Sequence, residues 1–249
     1  NLKTLFYALI IALVIRSLFV QPFYIPSSSM EPNLLVGDRL FVTKYSYGYS
    51  KHSFPFSPNI FVGRFLFSEP KRGDVVVFKT PADNRTDYIK RLIGLPGDEI
   101  QFIDGDLFIN NNQVLKTLIE TSESVFCGND SIEVNFFNEK LPNGLVYRAV
   151  YRSKYSFQNS DKFLVPLNHY FFLGDNRDCS KDSRFLSELG YVHEDNLVGK
   201  AQFLFFSSDY RIGSILKFWN WSNYKIVSIY YQIENTNKND FRNKFILLC

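Results

Sequence analysis

Short apolar runs that alternate residue by residue, each stopped by a Gly-Asp or Pro-Gly pair, recur through this chain: LLVGDRLFVTK, RGDVVVFKTP, YIKRLIGLPGDEIQFIDGDLFINN and NLVGKAQFLFFS. A period of two sends alternate side chains to opposite faces, and turns this closely spaced leave little room for long helices. The pattern predicts strands and hairpins, a mainly β protein. Its 249 residues suffice for one large domain or a domain with an insert. Between Leu107 and Pro166 the alternation loosens into Asn-rich sequence holding SIEVNFF and GLVYRAVYR, which reads as an insert, 107–166, within a β domain of 23–106 and 167–208. Residues 209–249 read as a tail with a short helix and poorly ordered residues.

One segment breaks the β pattern. LKTLFYALIIALVIRSLFV, Leu2 to Val20, has about the length that crosses a hydrocarbon core as a helix, and Arg16 lies near its far end, where a long side chain reaches the interface. Residues 1–22 are therefore predicted to be a transmembrane anchor; a cleaved secretory signal and a buried helix are the competing readings. No small-x-small cleavage pattern follows, which weighs against the signal. The aromatic stretch HSFPFSPNIFVGRFLF, His52 to Phe67, fits either core packing or a surface lying against lipid headgroups.

A formal net charge of +3, spread without a basic run, argues against nucleic acid as a partner. Cys127, Cys179 and Cys249 allow at most one disulfide and offer no zinc spacing.

If DYIKRLIGLPGD is a strand, Lys90 and Arg91 point to opposite faces, so one of them lies on whichever face is turned inward unless the strand is an edge. A buried cation must be paired or discharged, and lysine can discharge where arginine cannot. With an ordinary pKa near 10.4, roughly one lysine in 2,500 is neutral at pH 7, so a general base needs a depression of about 3 units. None of His52, His169 and His193 sits in a nucleophile-elbow context, and each reads as structural or solvated, which turns attention to Ser-Lys pairs. SILK, Ser214 to Lys217, has a Ser-x-x-Lys spacing without its companion motifs and reads as chance. LGDNRDCSKDSRF, Leu173 to Phe185, lacks the carboxylate spacing of a calcium loop, and Arg177, Lys181 and Arg184 would repel a cation. It fits a self-neutralising support that holds Ser180 and Ser183, or a salt-bridged loop.

Taken together, IPSSSMEPNL, GDRLFVTK, RGDVVVF, YIKRLIGLPGD and GDNRDCSKDSR, in this order behind an apolar segment, resemble the motifs of type I signal peptidases, membrane-anchored Ser-Lys endopeptidases that remove signal peptides from exported proteins. The resemblance covers most of residues 1 to 206. It implies a coiled antiparallel β-sheet catalytic domain, Ser29 as nucleophile and Lys90 as general base, with Ser27 and the Ser29 N–H as the oxyanion hole. It further implies that Ser180 orients the lysine and that Asp182 and Arg184 form a supporting ion pair. Ser28 stands where many members have Gly. The implied partners are signal-peptide-bearing preproteins and membrane lipid, with no metal and no cofactor. The implied location is a bacterial-type inner membrane, crossed once, with the catalytic domain on the outer face. Two other readings compete: a self-cleaving repressor-type Ser-Lys protease, which would need a DNA-binding domain where the apolar segment stands, and a non-catalytic membrane-tethered β module.

Overall fold

In the computed structural model the described residues are 1–207, apart from 55, 56, 59–61, 129 and 155. The tail at 209–249 and SILK lie outside them. Helix α1 (Leu2–Leu18) leads directly into strand β1 (Val20–Tyr24). The apolar segment is thus helical over 17 residues, about 25 Å, and residues 20–22, expected in the anchor, belong to a sheet. β1 pairs Val20 with Thr43 through to Tyr24 with Arg39 on β2 (Arg39–Thr43), and this ladder ends the helix. Among the described residues no helix is long and apolar enough to cross a membrane.

The body is β, as the alternation predicts. After β2 come β3 (Val75–Lys79), β4 (Asp87–Gly94), β5 (Glu99–Ile103), β6 (Asp106–Ile109) and β7 (Asn112–Gln113). The polar region then forms two long strands, β8 (Leu115–Cys127) and β9 (Asp130–Lys140), and a shorter β10 (Val146–Arg152). β11 (Phe163–Leu164), β12 (His169–Leu173), β13 (Val192–His193) and β14 (Leu197–Phe206) complete the set. The main sheet has seven strands in the order β1-β2-β14-β3-β4-β12-β13, and each pairing is antiparallel. Register shifts in β12 and β14 bend it, since each extra residue adds local twist. A sheet β11-β5-β6-β7 and a sheet β10-β9-β8 pack beside it.

The region expected to be an insert shares apolar packing with the main sheet. Its Leu107, Tyr147 and Tyr151 share one apolar cluster with Ile93, Phe171 and Leu173 of the main sheet. A second cluster, on the side of the nucleophile motif, gathers Ile25, Met30, Leu40, Val75, Val77 and Val198. Both of these clusters lie on the face of β3 and β4 that carries Arg91; a third, with Val76, Phe78, Leu92 and Phe172, lies on the alternate face, so these central strands are covered on both sides. The sequence reading had one of Lys90 and Arg91 facing inward; both are buried, at 4% and 2% exposure.

Candidate active site

Ser27 is extended and caps a single 3-10 turn, Ser28–Met30, whose three residues are buried. Met30 and Ile25 enter the apolar cluster and anchor the turn from either end. β4 runs beneath it. Lys90 Nζ donates to Ser29 Oγ at 2.5 Å and to the Ile89 carbonyl at 3.1 Å, and it lies 5.4 Å from the Tyr88 ring centre. No carboxylate among the described residues forms an ion pair with it. Burial pushes the Lys90 ammonium down to about 8, while the charges of Asp182 and Asp175 pull it partway back.

The three serines separate by environment. Ser27 Oγ is 3.4 Å from Ser29 Oγ, whereas Ser28 Oγ turns to Cys179 Sγ at 3.6 Å. Strand alternation would give the same sorting, but here the step from an extended residue into a 3-10 turn produces it. Ser28 is not among the positive-φ residues, so this backbone does not require Gly at that position.

The charged loop after β12 forms the floor. Asp182 takes both arms of Arg184, at 2.8 and 2.9 Å, and accepts the Gly174 N–H at 3.0 Å. Ser183 Oγ accepts the Phe172 N–H at 2.9 Å, fastening the loop to β12. Gly174 is required by close approach: a Cβ there would lie 2.2 Å from Ser180 Oγ and 2.6 Å from the Ser29 carbonyl oxygen. Ser180 is buried beside the site, but its hydroxyl makes no hydrogen bond among the described residues. The lysine contact expected of Ser180 is not made; the second bond of Lys90 goes to the backbone of its own strand.

Several supporting residues escaped sequence reading. The Asn176 N–H donates to the Ser29 carbonyl at 3.1 Å, and Asn33 Nδ2 reaches Asp175 and the Arg148 carbonyl, both at 2.7 Å. On the opposite face of β4, Arg91 grips Asp175 with two bonds of 2.7 and 2.6 Å. Arg177 pairs with Glu139 at 2.6 Å, and both also bond Tyr147 and Tyr151. Burial disfavours the Arg177 charge, yet Glu139 and the two tyrosines hold its pKa well above the ordinary value. A Cys127–Cys179 disulfide ties the end of β8 to the turn beneath Ser28. Alternation could place Glu139, Tyr147 and Tyr151 on strand faces, but it carries no signal that they meet Arg177.

A buried amine with a depressed pKa, in contact with a serine hydroxyl and free of any ion pair, is equipped to take up that proton. The family model described as "Signal peptidase, peptidase S26" matches residues 1–206. Signal peptidase I of Rickettsia typhi is 46% identical over 81% of this chain and 78% of its own, and that of Rickettsia prowazekii is 46% identical over the same shares. A solved signal peptidase I from Enterococcus faecalis V583 is 28% identical, covering 54% of this chain and 98% of its own at a TM-score of 0.32. With its motifs in order along a match of that extent, the chain belongs to the peptidase S26 signal peptidases, a family of serine endopeptidases.

Proposed function

We propose that this chain is a membrane-anchored endopeptidase that removes N-terminal signal peptides from exported preproteins, with Ser29 as nucleophile and Lys90 as general base. The observation that carries the reading is the 2.5 Å contact between Ser29 Oγ and the unpaired, buried Lys90 amine. As Ser29 Oγ bonds to the substrate carbonyl carbon, its proton passes to neutral Lys90. The resulting Lys90 ammonium gives that proton to the departing amine as the peptide C–N bond breaks; neutral Lys90 then takes a proton from the water that attacks the acyl carbon and returns it to Ser29 Oγ as the ester C–O bond breaks. The negative oxygen of each tetrahedral intermediate is held by the Ser29 N–H, which opens a helical turn and has no partner within it, and by the Ser27 hydroxyl, 3.4 Å from Ser29 Oγ.

Anchoring rests on α1, whose residues from Leu2 to Ile15 are exposed and apolar on every side except for Lys3 and Thr4. A helix apolar all round suits lipid rather than water. Tyr49 ties its end to the body by donating to the Leu18 carbonyl at 2.8 Å, and stacks on Phe65 next to the exposed Leu66. The Cys127–Cys179 disulfide supports a site facing an oxidising compartment outside the cytoplasm.

The test is incubation of the purified chain in detergent with a preprotein, reading the cut by mass spectrometry. Cleavage after a small-x-small signal end is expected, with background rates for Ser29→Ala and for a substrate carrying Leu just before the cut. Undiminished cleavage by Ser29→Ala would overturn the nucleophile assignment.

A further inference from the structure

Away from Ser29, at the foot of α1, a cavity of about 380 Å³ opens between the start of β1, the 3-10 turn Lys51–Ser53 and the β3–β4 hairpin. Its size falls in the range of small-molecule sites. Its charge is one-sided. Arg16, Lys44, Lys79 and Arg85 line it against a single carboxylate, Asp87, which Lys79 already pairs at 2.9 Å. Lys44 is buried, with its amine on the Ser53 carbonyl and no carboxylate in an ion pair. Burial, and next the nearby charge of Arg16, push its pKa down to about 8. His52, also buried on the cavity wall, engages Ser57 Oγ through Nδ1 at 2.9 Å, while its Nε2 has no partner among the described residues. An orphaned buried ring nitrogen is costly unless something fills its position. When Ser57 donates to Nδ1, Nε2 carries the proton and the ring is neutral. Cations crowded around one cavity select an anion with several acceptor oxygens, which is the chemistry of a phosphate group.

Position identifies the source. Arg16 belongs to the last turn of α1, and the Lys44 N–H donates to the carbonyl of Phe19, directly after that helix, at 3.0 Å. If α1 lies in lipid, as proposed above, the cavity sits at the depth of the headgroups, where anionic lipids attract basic side chains. We propose that this cavity is an anion site that takes the headgroup phosphate of an anionic phospholipid and so fixes the height of the catalytic sheet above the bilayer.

The test titrates the full chain in a maltoside micelle, at constant ionic strength, with dihexanoyl phosphatidylglycerol, dihexanoyl phosphatidylcholine or inorganic phosphate. Binding is read by calorimetry and by the ring nitrogen signals of His52. Saturable phosphatidylglycerol binding, at least tenfold tighter than either alternative, together with movement of the His52 signals, is expected. The double variant Arg16→Gln with Arg85→Gln alters two exposed side chains that the fold does not need, and should weaken phosphatidylglycerol binding tenfold or more. Inorganic phosphate binding as tightly would make this a free-anion site and overturn the lipid assignment. Equal affinity for phosphatidylcholine, or a double variant that binds like wild type, would overturn the site itself. Flotation with pure phosphatidylcholine vesicles separates this idea from the anchoring on which it rests. A chain that floats without preferring phosphatidylglycerol keeps its anchor and loses the site; one that prefers phosphatidylglycerol but does not float keeps the site and loses the anchor.

Discussion

Lys90 and Arg91 are adjacent, equally buried and of like charge, yet the two sides of β4 treat them in opposite ways. Beneath the nucleophile turn, Lys90 has no ion pair, and its pKa falls to about 8. On the other side, Arg91 holds Asp175, and Arg177 holds Glu139 and two tyrosine hydroxyls. Burial works against every one of these cations; what differs is whether a carboxylate is close enough to compensate. The difference teaches that one sheet can store charge on one face and remove it on the other. The paired side is rigid support, and the unpaired side is where a proton can be accepted.

Exchanging the character of one side tests this most sharply. Lys90→Arg puts a permanent cation where a neutral base is required, so kcat should fall by about a thousandfold or more even though length and charge are similar. Retention of a tenth of wild-type kcat would end the comparison. The matching change on the paired side is Glu139→Gln, which leaves the buried Arg177 charge without its carboxylate. It should lower unfolding stability by about 3 kcal/mol in urea titrations, whereas Lys90→Met, which removes an uncompensated buried amine, should melt no lower than wild type. Equal destabilisation by the two variants would mean that the two faces are not electrostatically distinct.

The pH profile probes the unpaired side without a mutation. The folded pKa of Lys90 lies below its unfolded value, so its neutral form is populated as pH rises through about 8 and is lost as pH falls. kcat/KM should therefore climb about tenfold per pH unit below that point and level off above it. The same sign applies to stability, which should gain from this group between pH 8 and the unfolded lysine pKa, where the unfolded chain binds the extra proton. A rate that is flat from pH 5 to 9 would contradict both. The smallest effect is expected at Ser28→Gly. This side chain faces Cys179 rather than Ser29, and its backbone has no left-handed φ, so kcat/KM should stay within about threefold of wild type in the same cleavage assay.

By itself the sequence determined the β character, the strand carrying the Lys90 motif, and the opposition of Lys90 to Arg91, because each follows from local period and turn chemistry. The Asp182–Arg184 pair came with the family resemblance, and its partners are two residues apart. The end of α1 was not within reach of the sequence: the apolar run continues to Val20, and only pairing with β2 turns its last residues into a strand. Nor could alternation show that both faces of β4 are covered, since it reports which residues share a face and not what packs on it. The proton contact spans 61 positions and the Arg177–Glu139 pair 38, and the partner of Cys179 lies 52 residues away. Such meetings are decided by how sheets fold over one another, so Lys90 could be singled out in the chain as a candidate base, while the burial that lowers its pKa and the pairing of its neighbours belonged to the tertiary structure.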